Sequence, residues 1–381
     1  MVDWRYSMES YRLNSRIVEG EKEFMIQTLN DIEQGVVKTS LFVDGEFLDA
    51  DILPHSGEIS EDQVLDLVKT AHREKKSELE YLLKCFNEII EQGSPEIMHQ
   101  LGIALYYKKL YSEAERLFRT VIKIRPDFHE AWFYLCRTYL AIRNYDGAAE
   151  AGNRAVELKP TYADYRNCLG EAYQGTGSCQ RAVMEFEESI KRNVYYADAY
   201  FNLAITYLLN EVNREDYNLS GNVATRAIDM LTKAVLIYPY YKGQNYDNAV
   251  LSIKEGNPKK AYALLTEIRR DKEERQRCEK SSFFQRFLMY TDLVNQNSIS
   301  DRIVFLKDEI EKNPGYVDLY YELAICYLHQ SKFDWEQGVD YFKKALEINP
   351  KLKKALRARE LGEDQFLKIS DAVFDISEKN F

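Results

Sequence analysis

Five histidines (His55, His72, His99, His129 and His329) and six cysteines (Cys85, Cys136, Cys168, Cys179, Cys278 and Cys326) are the residues of this 381-residue chain best suited to metal or nucleophile chemistry. Their spacing supports neither. No two histidines stand four apart around a carboxylate, the arrangement that sets two imidazoles on one helix face over a zinc ion. No cysteines form a C-x-x-C pair, and several fall inside helical patterns. They read as reduced core thiols of a cytoplasmic protein. The glycines lie singly, so no loop of backbone N–H groups is available to cradle a phosphate. No Ser or Cys occupies a recognisable nucleophile motif. No catalytic, cofactor-binding or metal-binding candidate emerges, and the chemistry to look for is recognition.

Charge narrows the partner. Residues 1–94 hold 10 Lys and Arg against 20 Asp and Glu, whereas the remaining 287 residues hold 41 against 42. Nearly all of the formal net charge of −11 therefore precedes residue 95. Phosphate-backbone affinity comes from cationic neutralisation, so a nucleic-acid partner is not expected. The one basic run, residues 259–280, interleaves its cations with acids and reads as a solvated helix. Apolar runs are too short to span a bilayer, and the N-terminus has no apolar signal core. A cytoplasmic protein without direct membrane insertion is expected.

A repeat must position whatever does the recognising. Leu101, Leu135, Leu169 and Leu203 are each 34 residues apart, inside similar decapeptides such as "EAWFYLCRTY" and "DAYFNLAITY"; "DLYYELAICY" returns at 318–327. A fixed period of this size marks stacked supersecondary units. In the unit 129–162, Trp132, Leu135, Cys136 and Tyr139 fall on one helical face. Tyr145, Ala148, Gly152 and Ala155 fall on a second, and Pro160 ends it. The small residues let the two helices of each hairpin approach closely.

This pattern resembles the tetratricopeptide repeat, over residues 95–350. The units at 95–128 and 163–196 supply Leu101, Gly102, Tyr111, Ala114, Phe118 and Pro126, and then Leu169, Gly170, Tyr173, Ala182 and Phe186. Met98, Arg166 and Val194 depart from the pattern. The fourth unit carries Tyr200, Leu203, Ala204 and Tyr207, then an 11-residue insertion within about 208–222 before Ala227, Leu231, Ala234 and Pro239. A fifth unit at Ala249–Ile268 is weaker and a sixth near 283–316 is degenerate. The seventh returns with Tyr320, Leu323, Ala324, Tyr327, Phe333, Phe342, Ala345 and Pro350. The resemblance implies an all-α, right-handed superhelical solenoid of six or seven antiparallel helix pairs, closed by a capping helix and tail at 351–381.

In proteins similar to this one, the first-helix face turned away from the seam lines a concave groove that receives peptides or helices. Here that face carries His99, Ile103, Phe133, Arg137, Asn167, Glu171, Phe201, Ile205, Leu208, Tyr321 and Ile325 as candidate partner-binding residues. Its apolar members should not face water without a partner or a covering segment. An acid opens each of five units, at Glu96, Glu130, Asp164, Asp198 and Asp318. These carboxylates either complement the helix macrodipole or form a ladder that selects a basic partner. A chaperone-tail clamp would need Lys and Asn where His99 and Ile103 stand, and cations where Asp164 and Cys168 stand; it is disfavoured.

Residues 1–94 fall outside the period and read as a small α+β segment. Residues 15–35 are expected to form an amphipathic helix, and 38–53 a β-hairpin turning at Asp44-Gly45. Ser60 and Gln63 make a capping box at the start of one or two helices. The segment is either a cap on the stack or a separate interaction element. The function expected is a non-catalytic scaffold or adaptor for a protein or peptide partner, with self-association left open. By family analogy alone, a dedicated chaperone or assembly factor of a membrane-associated bacterial secretion or motility machine is the second reading. An enzyme and an RNA binder are more distant ones.

Overall fold

The computed structural model of the chain describes residues 11–55, 60–92, 94–214, 219 and 221–284, with single helical positions between 300 and 346. Four strands open it: β1 (Arg12–Glu19), β2 (Lys22–Asp31), β3 (Val36–Val43) and β4 (Glu46–Pro54). They form one antiparallel sheet in the order β1-β2-β3-β4. Asp44 and Gly45 both take positive φ, 51° and 84°, as a two-residue hairpin turn of matching twist requires.

The expected helix over residues 15–35 is overturned, because β1 and β2 occupy it. Two facts decide against the helix. Gly20 turns the chain at φ +60°, and β2 is paired on both sides, Phe24 facing Ile17 and Val43. Its Phe24, Ile26, Thr28 and Asn30 alternate inward. The cluster Phe24-Met25-Ile26 fits either period, and only the neighbouring strands select the period of two.

Helix α1 (Glu61–Gln92) covers the inner face of the sheet. Its capping box is formed: the Ser60 N–H donates to Gln63 Oε1 at 2.8 Å and the Gln63 N–H to Ser60 Oγ at 3.3 Å. Val64, Val68 and Ala71 bury against Val37. One turn on, His72 lies between Thr28 Oγ1 at 3.0 Å and Ser15 Oγ at 2.8 Å, and its burial pushes its pKa down. The core then runs without interruption from Phe24 and Leu41 through Leu82 and Phe86 into Leu101, Phe118, Leu135 and Tyr165.

The helix pairs follow at the sequence period. Pairs α2/α3 (Pro95–Tyr107, Tyr111–Ile124), α4/α5 (His129–Ala141, Tyr145–Leu158) and α6/α7 (Ala163–Gly175, Cys179–Arg192) repeat every 34 residues, and α8 (Ala197–Asn213) begins the next. Each hairpin turns through a left-handed residue at the same place: Lys109, Arg143 and Gly177, with φ of 63°, 59° and 80°. The turn is held by one recurring bond, Leu110 N–H to Leu105 O, Asn144 N–H to Tyr139 O and Ser178 N–H to Tyr173 O, at 2.9, 2.8 and 2.8 Å. The left-handed conformation frees the chain to reverse in three residues.

Helix α8 has 17 residues where the preceding first helices have 13. It ends on Arg214 in the left-handed region, and α9 (Val223–Ile237) resumes the pattern. The insertion thus lengthens a helix by about one turn. Helices α10 (Gln244–Lys254) and α11 (Pro258–Phe284) follow. The chain divides into two compact units, Met1–Met230 with Gln244–Met289, and Leu231–Gly243 with Tyr290–Phe381. In the second, Leu231, Ala234, Tyr238, Tyr241, Ile303, Leu306, Cys326, Val339 and Leu346 are buried. Tyr320 and Tyr327, expected on a seam, stand half-exposed; Lys307 Nζ lies 5.5 Å from the centre of the Tyr327 ring. Residues 351–381 lie outside the described residues.

The seam glycines are set by rings. A Cβ at Gly170 would lie 2.6 Å from Cε1 of Phe186, and Phe186 is fully buried. Ala would gain about 1 kcal/mol in helix propensity, but pressing on a buried ring costs about 1–3 kcal/mol. Gly170→Ala is therefore expected to lower the urea midpoint. A raised midpoint would show that the ring moves aside freely.

Candidate functional site

The inner faces of α2, α4, α6 and α8 form a groove, and it is occupied. Helix α11 begins as the second helix of the pair α10/α11, burying Ala261 and Leu265. It then continues to a total of 27 residues, about 40 Å of helix, and packs on α8 and on α2. The expectation that 259–280 is a solvated helix is overturned.

The occupant is held by cations. Arg269 Nη1 donates to Gln174 Oε1 at 2.7 Å and to Asn202 Oδ1 at 3.2 Å. Lys272 Nζ donates to the Asp198 carboxylate. Arg277 donates to Tyr107 O at 2.8 Å and to Asp49 Oδ1 of β4 at 3.0 Å. Lys109, in the α2–α3 turn, reaches Asp49 at 3.3 Å and Glu274 at 3.1 Å. The Arg277 and Lys109 cations hold the Glu274 carboxyl down to about 2.

Beneath α11 lies a network of amides. Asn202 Nδ2 donates to Asn167 Oδ1 at 3.1 Å and to Glu171 Oε1 at 2.9 Å, and Asn167 Nδ2 donates to the same Glu171 oxygen at 2.7 Å. Gln174 Nε2 donates to Thr206 Oγ1 at 2.8 Å. Burial first, and then the nearby Glu273 and Asp198 charges, push the Glu171 carboxyl up to about 7, against the pull of Arg269 and Arg137.

The candidate residues fall into two groups. Asn167, Glu171 and Arg137 meet at the polar centre; Arg137 lies over the rings of Tyr106, Phe133 and Tyr134 at 5.2, 5.8 and 6.0 Å. The expectation of an open groove at His99, Ile103, Phe133, Phe201, Ile205 and Leu208 is corrected: all are buried, with Phe201 and Ile205 at 0% exposure. Helix α11 packs on α8, which carries Phe201, Ile205 and Leu208, whereas His99 and Phe133 are buried by rings of the helix stack itself. His99 sits among Phe118, Phe128 and Tyr134 with centroids 4.9–5.8 Å away, and burial pushes its pKa down to about 3. Phe133 stacks on Tyr165 at 4.6 Å. Tyr321 and Ile325 lie outside the described residues.

The opening acids do not act alike. Glu96 takes Arg125 at 2.6 Å, and the N–H groups of its own first turn hold its carboxyl below the usual range, as a helix N-terminus does. Asp198 instead meets the occupant. Asn202, Thr206 and Lys272 were not legible as site residues. The available signal was length, since 27 residues without Gly or Pro after Pro258 far exceed the repeat's 14-residue second helix.

Two outcomes are expected. Phe201→Ala removes a fully buried ring and should cost about 3–5 kcal/mol in denaturant melts; near-neutral behaviour would mean that the groove is open in solution. The second concerns pH. Glu171 is raised from 4.5 to about 7 in the folded chain with α11 seated, so this state takes up a proton relative to the unfolded chain. Its stability is greatest below 4.5 and falls as pH rises through 7. Amides of α11 should exchange faster at pH 8 than at pH 5.5 after correction for intrinsic rates. Glu171→Gln should abolish that difference, and a difference that survives it rules Glu171 out.

Known proteins can now be set beside this geometry. A family model described as tetratricopeptide repeat matches residues 99–163. The chain is 21% identical over 162 residues to anaphase-promoting complex subunit 3 of Schizosaccharomyces pombe, covering 33% of this chain and 24% of that protein. It is 24% identical over 215 residues to tetratricopeptide repeat protein 6 of Homo sapiens, covering 55% and 37%. The chain thus spans well under half the length of either relative. Among solved structures, a thermophilic TPR protein of Thermus thermophilus is 22% identical, covers 50% of this chain and 100% of its own, and has a TM-score of 0.36. MamA from Desulfovibrio magneticus is 21% identical, covers 44% and 93%, and has a TM-score of 0.35. Helix pairs repeat every 34 residues with small residues against rings at their seams, and the segment that matches the tetratricopeptide repeat, residues 99–163, falls on those pairs.

Proposed function

We propose that the chain is a non-catalytic protein-interaction scaffold whose groove receives a helix. One observation carries this reading: a helix lies along the inner faces of α2 and α8, held there by side-chain contacts at Gln174, Asn202 and Asp198. A surface that seats one helix through such contacts has the shape and the polarity to seat another. By its name, the relative in Schizosaccharomyces pombe is a subunit of a multiprotein complex, which agrees with a scaffold. Among the described residues no group of three His, Cys, Asp or Glu could hold a metal ion, and no helix is long and apolar enough to cross a membrane.

Photo-crosslinking tests the site. A photoreactive residue replacing Gln174 in the groove, or Met184 on the exposed side of α7, would be placed in the full chain and irradiated in cells. A discrete protein adduct is expected from position 174 and not from 184, where the side chain is 59% exposed. The same adducts from both positions, or none from the groove, would remove the groove as the binding surface.

A further inference from the structure

Helix α11 is two different helices in one. Its first half completes a helix pair through Ala261 and Leu265, both fully buried. The stretch that follows, residues 269–277, reads Arg-Arg-Asp-Lys-Glu-Glu-Arg-Gln-Arg and contains no apolar residue, before the helix runs on to Phe284. The contacts that Arg269, Lys272 and Arg277 make with the groove are polar. Arg269 meets the amides of Gln174 and Asn202, Lys272 meets Asp198, and Arg277 meets Asp49 and the Tyr107 carbonyl.

These contacts are of a kind that exchange. A second helix with cations at the same spacing would satisfy the same acceptors, so the groove loses nothing when one replaces the other. A stretch held by polar contacts also opens more readily than one locked in a seam. The receiving surface is negative at both ends, at Asp198 and Asp49, with Glu171 at its centre. Nearby cations of the scaffold are already engaged, Arg137 over three rings and Lys109 on Asp49.

Resting on the reading of the groove as the interaction site, we propose that its partner is a basic helix with cations at the spacing of Arg269, Lys272 and Arg277, which enters by displacing the second half of α11. The chain therefore carries a competitor for its own partner. The charges acting on Glu171 include Arg269 and Glu273 from α11, Asp198 from α8 and Arg137 from α4. A partner lacking the Glu273 carboxylate would relieve the repulsion that α11 brings, and so would gain on α11 as pH rises.

The test uses the full chain and a fluorescein-labelled peptide that reproduces residues 258–277. In the Arg269→Glu, Lys272→Asp variant, α11 is repelled by a groove that is itself unaltered. This variant should bind the peptide at least tenfold more tightly than wild type does, and should reject a scrambled peptide of equal composition. Adding Asp198→Lys should abolish the gain. Raising salt should weaken binding, since it screens the attraction of the free basic peptide to the acidic groove before they pair. If the charge reversals cost the fold, Lys272→Ala keeps the surface neutral and should show the same ordering.

A folded variant that binds both peptides equally, or neither, overturns the proposal. So does a variant that dimerises with rising concentration and excludes the peptide, for then the occupant is a second copy of the chain. Failure of the peptide while groove crosslinks to a protein persist would reject only this partner chemistry. Loss of both would reject the scaffold reading as well.

Discussion

The structure depends on the buried amide network under α11. Asn202 donates to two acceptors, which leaves its own carbonyl oxygen in need of a donor, and Arg269 supplies it. Buried polar groups are costly when unpartnered. The inner face of α6 and α8 must therefore be covered by something cationic or be open to water. A groove lined by Leu and Phe would accept any apolar cover. This one specifies charge and spacing, because the two amide acceptors of Arg269 are fixed by neighbours: Asn202 by Asn167 and Glu171, and Gln174 by Thr206.

The N-terminal sheet enters the same arrangement from the other end. Its inner face and α1 extend the core of the helix stack without a break, which is what a cap does. Yet β4 also contributes Asp49, which receives both Arg277 and Lys109. Asp49, one of the acids before residue 95, thus supplies counter-charge to α11 at Arg277.

Much of the fold was legible because its information is periodic. Leu101, Leu135, Leu169 and Leu203 sit at equivalent places in four first helices, and small residues mark where rings press. The hairpin at Asp44-Gly45 and the cap at Ser60 were legible because both are local chemistry. Strands β1 and β2 were not, since the apolar cluster at 24–26 suits two periods and the choice is made by strands elsewhere in the chain. The groove face was read at the right positions, but its exposure was not. Phe201 is fully buried on a helix packed by α11, some 60 residues away, and nothing in the periodicity of α8 reports it. The stripe Ala261, Leu265, Arg269, Lys272 changes from apolar to cationic halfway. A rule that seeks apolar faces sees a buried helix followed by a solvated one, where the structure has a single helix seated along both halves.

That change of character decides how the groove can be used. Apolar cover would bury Phe201 and its neighbours at least as well, but it would release them only at the cost of exposing a second apolar surface on the departing helix. A cationic cover leaves into water without that penalty, because Arg and Lys are well hydrated when free. Its attachment is accordingly weak per unit of area and selective in geometry. The seam half of α11 supplies the permanence that the polar half lacks, and holds the departing segment close to the groove at high effective concentration. An arriving helix must then match the cation spacing and also bind better than a tethered competitor. On the proposed reading, selectivity is thus set by a comparison made within the chain itself.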